Sequence, residues 1–290
     1  MNCIKRRFYQ QVKLLKLCGG VILKKKLEVW SANLTGAQRD NLIKTAPPSY
    51  YPEGGYLIVL WIRKMNVING NCLDVLKKMG DNSFDYGFTS PPYNRLRNDK
   101  YQEYVDKIDD YYLFLCNFTD ELLRICKDSF FVNVQKTMYN KVEVLKYLGN
   151  YASQIKEIFI WEKTNPMPAA GYSVTNAYEF FIYFGKNPPK SKHTYTKNVF
   201  SSGVNSEMPK EHKAVMKQSV ADFFIGNFFV GGEGQTCIDP FFGLGTTAIA
   251  CDKNKIQCTG IELSSVYCEL AKKRFDAYRA EKESFLFDDL

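Results

Sequence analysis

Residues 236–247 read Thr-Cys-Ile-Asp-Pro-Phe-Phe-Gly-Leu-Gly-Thr-Thr, and this stretch decides the fold. Thr236 to Ile238 is a short β-prone run, and Thr246 to Asp252 has the composition of a helix. Between them, Gly243 and Gly245 supply a turn whose backbone can adopt angles closed to other residues and approach a ligand closely. Amides at the start of the following helix would then face that ligand. Taken alone, the same turn is compatible with a simple tight connection. The next segment sharpens the reading, because Gln257 to Glu262 is predicted to be a strand ending in Gly260-Ile261-Glu262. One helix and one strand fill the interval from Gly243 to Glu262. An acidic side chain at that place in a doubly wound fold grips the hydroxyls of a ribose. Asp239 at the mouth of the turn would repel a pyrophosphate, so a nucleoside with a cationic tail suits it better. S-adenosylmethionine is such a molecule.

Working outward, alternating apolar segments recur on both sides. Asn66 to Gly70 is predicted to be a strand and turn, Leu73 to Met79 a helix, and Phe84 to Thr89 a buried strand. Tyr112, Leu115, Phe118, Leu122 and Ile125 share one face of a predicted helix over 109–126. Further strands are predicted at 129–134, 157–161 and 178–184, a long polar connection over 185–209, and a closing helix from Ser265 to Arg279. Strands alternating with helices predict an α/β fold with a mostly parallel sheet covered on both faces.

The strand Phe84 to Thr89 ends in Ser90-Pro91-Pro92-Tyr93-Asn94, at the carboxyl edge where such sheets place their sites. Two prolines fix the backbone and remove two amide donors, leaving carbonyls free to accept. A hydroxyl and a carbonyl at one corner can take both hydrogens of an exocyclic amine, and Tyr93 offers a flat face to a base. An isolated match of this kind is also read as a rigid turn.

Composition narrows the classes. The 290 residues are 45% hydrophobic and 24% charged, ordinary for a globular chain. No apolar run approaches the roughly 20 residues of a membrane span; the longest is Tyr56 to Ile62. Lys5, Arg6, Arg7, Lys13 and Lys16 interrupt the start, which lacks a secretory core. Nine cysteines without a CxxC pair argue against structural zinc and against a disulfide framework, and a reduced, cytoplasmic compartment is expected. The net charge of +8 is uneven: residues 1–64 hold 12 Lys and Arg against 3 Asp and Glu (+9), and residues 65–290 hold 27 against 28 (−1). The chain therefore divides into a basic N-terminal extension, 1–64, and a globular part, 65–290. Within the latter, 186–217 is locally basic, with seven lysines against Glu207 and Glu211.

Together these blocks resemble the amino-methyltransferases of DNA in their β arrangement, where a (D/N/S)PP(Y/F) motif precedes a Phe-x-Gly-x-Gly motif. Here Ser90–Tyr93 precedes Phe242–Gly245. The similarity extends over most of 66–279, including Asn69 to Leu76, Trp161-Glu162-Lys163, Glu179 to Phe184, His212 to Met216, and Gly260 through Tyr267, Ala271 and Arg274. The resemblance implies a Rossmann-like, doubly wound, mostly parallel sheet of the seven-stranded type, with circularly permuted motifs. It implies S-adenosylmethionine bound by Asn71, Cys72, Asp239, Phe241, Phe242, Gly243, Gly245, Thr246 and Glu262, and no metal. Methyl transfer to a base flipped out of DNA would use Ser90, Pro91, Pro92, Tyr93 and Asn94. Ser90 and the Pro91 carbonyl would accept the amine hydrogens, Tyr93 would stack on the base, and Asn94 would shape the rim.

A serine at the first motif position favours N4-methylcytosine over N6-methyladenine as product. The 186–217 stretch stands where the family carries its target-recognition region, and a restriction-modification setting, with a monomer or homodimer, is expected. This sequence departs from the family pattern at Asn71, where Asp is frequent, at Leu244, where Ser is common, and after His212, where proline is usual. Two rivals remain: a non-catalytic DNA-binding protein, against which Tyr93, Gly243, Gly245 and Glu262 are all intact, and an RNA or protein methyltransferase, against which the motif order counts.

Overall fold

A computed structural model describes residues 65–94, 107–166, 174–204 and 215–288. The basic extension 1–64 and the His212-Lys213-Ala214 part of the recognition stretch lie outside the described residues. Eight strands form one sheet: β1 Asn66–Asn69, β2 Phe84–Thr89, β3 Cys126–Val134, β4 Ile155–Lys163, β5 Tyr178–Gly185, β6 Val199–Ser202, β7 Thr236–Asp239 and β8 Gln257–Glu262. Their order is β1-β8-β7-β2-β3-β5-β4-β6. Only the β3–β5 and β5–β4 pairings are antiparallel, so β5 alone runs against the rest.

Among the described residues six helices accompany the sheet: α1 Cys72–Leu76, α2 Tyr111–Ile125, α3 Lys141–Asn150, α4 Gln218–Phe228, α5 Thr246–Lys253 and α6 Ser265–Asp288. Alternation along β3 divides the core into two layers. Phe131 points into a cluster with Phe224 and Phe228 of α4, Ala248 of α5 and Phe275 of α6. Phe130, Val132 and Val134 point the other way, against Leu115 and Phe118 of α2, Tyr147 of α3 and Leu76 of α1. Three helices thus cover each face, which is the doubly wound arrangement expected.

β2 and β8 begin and end where the sequence places them. α2 is set by its periodic face and by Asp110, whose Oδ1 accepts the Leu113 N–H at 2.9 Å as an N-cap. Three elements go beyond the sequence reading. α4 carries Val220, Ala221, Phe224, Ile225 and Phe228 into the core, spaced as one face of a helix. α3 buries only Val144 and Tyr147, while Val142 and Leu145 are exposed, so its pattern is diluted. β6 corrects the reading of 185–209 as an unbroken loop: it adds an eighth strand, parallel to β4. Trp161 Nε1 donates to Ser202 Oγ at 2.9 Å and Ser201 Oγ donates to Glu162 Oε2, fastening this edge.

Candidate active site

At the carboxyl ends of β7, β8 and β2 a cavity of about 310 Å3 opens, at the lower end of the range that holds small ligands. Gly70, Asn71 and Cys72 line it beside the Asp239–Gly243 turn, Thr246 and Glu262, and Ser90, Pro91, Pro92 and Tyr93 line it across the way. All but two of the predicted site residues therefore meet in one place. Gly245 and Asn94 stand behind the wall.

The Gly-rich turn is built from inside. Gly243 and Gly245 have φ of 51° and 73°, in the left-handed region that glycine enters without a Cβ penalty. Gly245 precedes α5 as its N-cap. Arg274 from α6 donates to Leu244 O and Thr246 Oγ1, both at 2.9 Å, and holds the turn against the helix. Phe242 is buried, and its ring lies where a Cβ on Gly260 would come within 2.1 Å of Cγ. The sequence reading gave Gly260 no task; its task is to leave room for that ring.

Two carboxylates flank the turn. The Gly243 N–H donates to Glu262 Oε2 at 2.8 Å and the Ser264 N–H to Oε1 at 2.9 Å. Asp239 is buried at 3% exposure. Thr89 Oγ1 (2.8 Å) and the Phe241 N–H (3.1 Å) donate to its Oδ1, and Thr247 Oγ1 donates to Oδ2 (2.5 Å). Burial pushes its pKa up from 3.8 to about 6, against the lowering effect of those donors. Asn71 caps α1, its Oδ1 accepting the Leu73 N–H at 3.0 Å. Burial pushes the neighbouring Cys72 thiol up to about 12. All seven described cysteines are free and buried, in keeping with a role in packing.

At the opposite end the backbone after Ser90 is braced carbonyl by carbonyl. Tyr111 Oη donates to Pro92 O at 2.8 Å, and Asn140 Nδ2 donates to Tyr93 O at 2.6 Å. Among the described residues no donor reaches Pro91 O. Asn94, at φ 50°, takes no part in the cavity wall: its Nδ2 donates to Ile108 O and its Oδ1 accepts the Ile108 N–H. The rim expected of Asn94 is thus supplied by Ile108, which Asn94 positions.

Behind this corner lies a network of side chains with no place in the sequence reading. Ser90 Oγ is 2.9 Å from Asn133 Oδ1 and 3.0 Å from Tyr93 Oη. Tyr93 Oη is in turn 2.6 Å from Asn133 Oδ1 and 2.8 Å from Glu179 Oε2. Lys163 Nζ pairs with Glu179 Oε1 at 2.6 Å, both side chains nearly enclosed. Asn133 Nδ2 donates to Phe180 O, which fixes its oxygen toward the hydroxyls. Four oxygen–oxygen contacts share two hydroxyl hydrogens, so the corner is rich in acceptors and short of donors. Trp161-Glu162-Lys163 and Glu179 stand in or beside segments that the sequence marks as strands, but the meeting of Lys163 and Glu179 across β4 and β5 at Tyr93 has no local signal.

Charge elsewhere follows the sequence reading in part. Lys186, Lys190, Lys192 and Lys197 are exposed in the described portion of the basic stretch. No described helix is long and apolar enough to cross a membrane, and the described residues hold no cluster of metal-ligating side chains.

Known proteins match this arrangement. A family model described as DNA methylase, of the N6/N4 methyltransferases, covers residues 84–273. The type II methyltransferase M.MwoI of Methanothermobacter wolfeii is 28% identical over 230 residues, which are 73% of this chain and 34% of that protein. M.SmaI of Serratia marcescens is 25% identical over 271 residues, 73% of this chain and 91% of that one. The chain thus spans about a third of the first relative and most of the second. Among solved structures, the cytosine-N4-specific PvuII DNA methyltransferase superposes with a TM-score of 0.60 at 17% identity, over 72% of this chain and 85% of that one. M1.HpyAVI, solved with S-adenosylmethionine, gives 0.53 at 18% identity, over 73% and 99%. These two show the shared fold. With the family model spanning both motifs in the order found here, the chain belongs to the DNA methylase family, as an amino-methyltransferase of the β arrangement.

Proposed function

We propose that the cavity binds S-adenosylmethionine at the β7–β8 end and presents the exocyclic amine of a flipped DNA base to Ser90–Tyr93. The chemistry of the lining fits that ligand. Among the described residues no lysine or arginine lines the cavity, whereas Asp239 and Glu262 suit a positively charged nucleoside. Glu262 serves the ribose, Asp239 the cationic end, and the apolar walls of Phe241, Leu244 and Ile261 exclude water. When bound, the ligand supplies a methyl group on a sulfonium centre.

The carrying observation is the acceptor-rich corner. Of three successive carbonyls, those of Pro92 and Tyr93 have donors, and among the described residues that of Pro91 has none, which suits an outside donor. Ser90 Oγ is surrounded by oxygens. An amine brings two N–H groups to these two acceptors, and its nitrogen lone pair then turns toward the methyl group. A base with a carbonyl in place of that amine, such as thymine with its O4, would bring another acceptor to this corner and be rejected. The residues act by positioning and by a desolvated, pre-arranged field.

Cytosine N4 is the preferred target and adenine N6 the alternative. The preference rests on Ser90 leading the motif, and PvuII methyltransferase, whose fold this chain shares, is N4-specific. The globular part, 65–290, is the methyltransferase domain; lysines of 186–217 contact phosphates and give salt-dependent affinity, and the extension 1–64 adds unspecific contact. Mass spectrometry of nucleosides digested from DNA, after incubation with the purified protein and S-adenosylmethionine, tests the reading. N4-methylcytosine is expected. N6-methyladenine would overturn the choice of base, and methyl on the cytosine ring carbon, or none on DNA, would overturn the assignment.

A further inference from the structure

Transfer of a methyl group to an amine leaves that nitrogen with a positive charge and one proton too many. Ser90 Oγ touches the amine in the reading above, on which this inference rests, yet a serine hydroxyl is a poor final home for a proton. The structure offers a continuation: Ser90 Oγ to Tyr93 Oη at 3.0 Å, and Tyr93 Oη to Glu179 Oε2 at 2.8 Å. The path ends on a nearly enclosed carboxylate whose other oxygen meets Lys163 Nζ.

We propose that Glu179 is the sink for the proton released at the amine, reached through Ser90 and Tyr93. One N–H bond of the methylated amine breaks and its electron pair stays on nitrogen, while the proton forms a new O–H bond at Ser90 Oγ. The hydroxyl hydrogen of Ser90 passes to Tyr93 Oη, and the hydrogen of Tyr93 passes to Glu179 Oε2. The product is neutral and Glu179 is a carboxylic acid beside the Lys163 ammonium. After the base leaves, water in the cavity takes the proton back along the same oxygens. The exocyclic nitrogen of a nucleobase is conjugated with its ring, so once it carries a methyl group and an extra proton it is far more acidic than a carboxylic acid, and the net transfer to Glu179 runs downhill.

Among the described residues the side chains within hydrogen-bond reach of Glu179 are Lys163 from β4 and Tyr93 from the loop after β2. Lys163 has two consequences. It gives the nearly enclosed carboxylate a counter-charge at 2.6 Å from Oε1. It also fixes which oxygen faces Tyr93. Asn133 from β3 holds both hydroxyls in line through Oδ1 and, as an amide, does not itself take the proton. Glu179 touches neither base nor cofactor; it acts through Tyr93 and is a positioning residue in that sense.

The test uses the full chain and compares Glu179→Gln, Glu179→Asp, Tyr93→Phe and the double variant Tyr93→Phe/Glu179→Gln. It measures single-turnover methylation of DNA together with KM for DNA, affinity for S-adenosylmethionine, and the thermal midpoint. Glu179→Gln keeps shape and loses basicity, so its single-turnover rate is expected to fall about 100-fold, the scale of general acid–base effects, with KM and cofactor affinity within about twofold. Glu179→Asp keeps a base and is expected to outperform Gln; a role in shape alone would reverse that order. Tyr93→Phe keeps the ring and breaks the path, and the double variant is expected to be no slower than the slower single variant.

A wild-type rate for Glu179→Gln, a Gln variant faster than the Asp variant, or multiplicative losses in the double variant would overturn the proposal. If Glu179→Gln does not fold, Tyr93→Phe decides alone: a wild-type rate overturns the path and a loss of about tenfold or more supports it. The parent reading fails separately, since an unmodified protein that puts no methyl on an exocyclic amine removes both.

Discussion

The two ends of the cavity are built from opposite materials. At the β7–β8 end, main-chain N–H groups of Phe241, Gly243 and Ser264 donate to the carboxylates of Asp239 and Glu262, all within residues 239–264. At the Ser90 end, side-chain oxygens of Ser90, Tyr93, Asn133 and Glu179 gather from β3, β5 and the loop after β2. The first end depends on backbone angles and on space; the second depends on which side chains meet. The contrast teaches where each can be broken: by adding a Cβ at one end, by changing a single polar atom at the other.

The largest effect is expected at Gly260. A Cβ there would lie 2.1 Å from Phe242 Cγ and 2.2 Å from Cδ2, and these are not the far end of a flexible chain that could swing aside. Gly260→Ala is therefore expected to cost about 3 kcal/mol of stability, the upper range for overpacking a core, and to displace the Gly-rich turn. Denaturant unfolding measures the first, and loss of S-adenosylmethionine binding measures the second. Native stability in the variant would show that the turn tolerates a moved ring, and would erase the distinction between the two ends.

The same contrast explains what the sequence reveals. Turn chemistry is local: Gly243, Gly245 and Glu262 lie within one helix and one strand of each other, and β2 ends at its Pro-Pro pair. Their meeting in one cavity follows from the topology that alternation predicts. The network behind Tyr93 joins residues 40 and 86 positions apart, through an antiparallel β3–β5–β4 pairing whose register nothing local announces. Lys163 reads as a strand exit and Glu179 as a strand start until Trp161 pairs with Glu179. Asn94 misleads for the opposite reason: adjacency to the motif suggests a cavity role, while its left-handed φ turns the amide back to Ile108. α4 is legible by the same rule as α2, since Val220, Ala221, Phe224, Ile225 and Phe228 recur at helical spacing.

A smaller effect is expected from Glu262→Ala. Its oxygens hold the Gly243 and Ser264 amides and, in the proposed complex, the ribose. Removing it leaves polar partners unmet, at about 1–3 kcal/mol in ligand affinity by calorimetry. A drop in stability with unchanged affinity would mean that Glu262 only shapes the turn and would leave Asp239 as the ligand-facing carboxylate of the β7–β8 end.

The smallest effect concerns Asp239 and pH, and its two consequences have opposite signs. Burial raises this carboxyl from 3.8 to about 6, so the folded protein binds the proton more tightly than the unfolded chain. Its contribution to stability is full below the unfolded value and is lost as pH rises through about 6. A cationic ligand prefers the ionised form, so affinity for S-adenosylmethionine is expected to rise across the same interval, by roughly three- to tenfold between about pH 5 and about pH 7. Asp239→Asn should flatten both slopes. Calorimetric titration across that range, paired with unfolding of the ligand-free protein, separates two roles. Opposed slopes place the cationic end of the ligand beside Asp239. A slope in stability alone, with flat affinity, would make Asp239 a brace between Thr89 and Thr247 and move the cationic end elsewhere in the cavity.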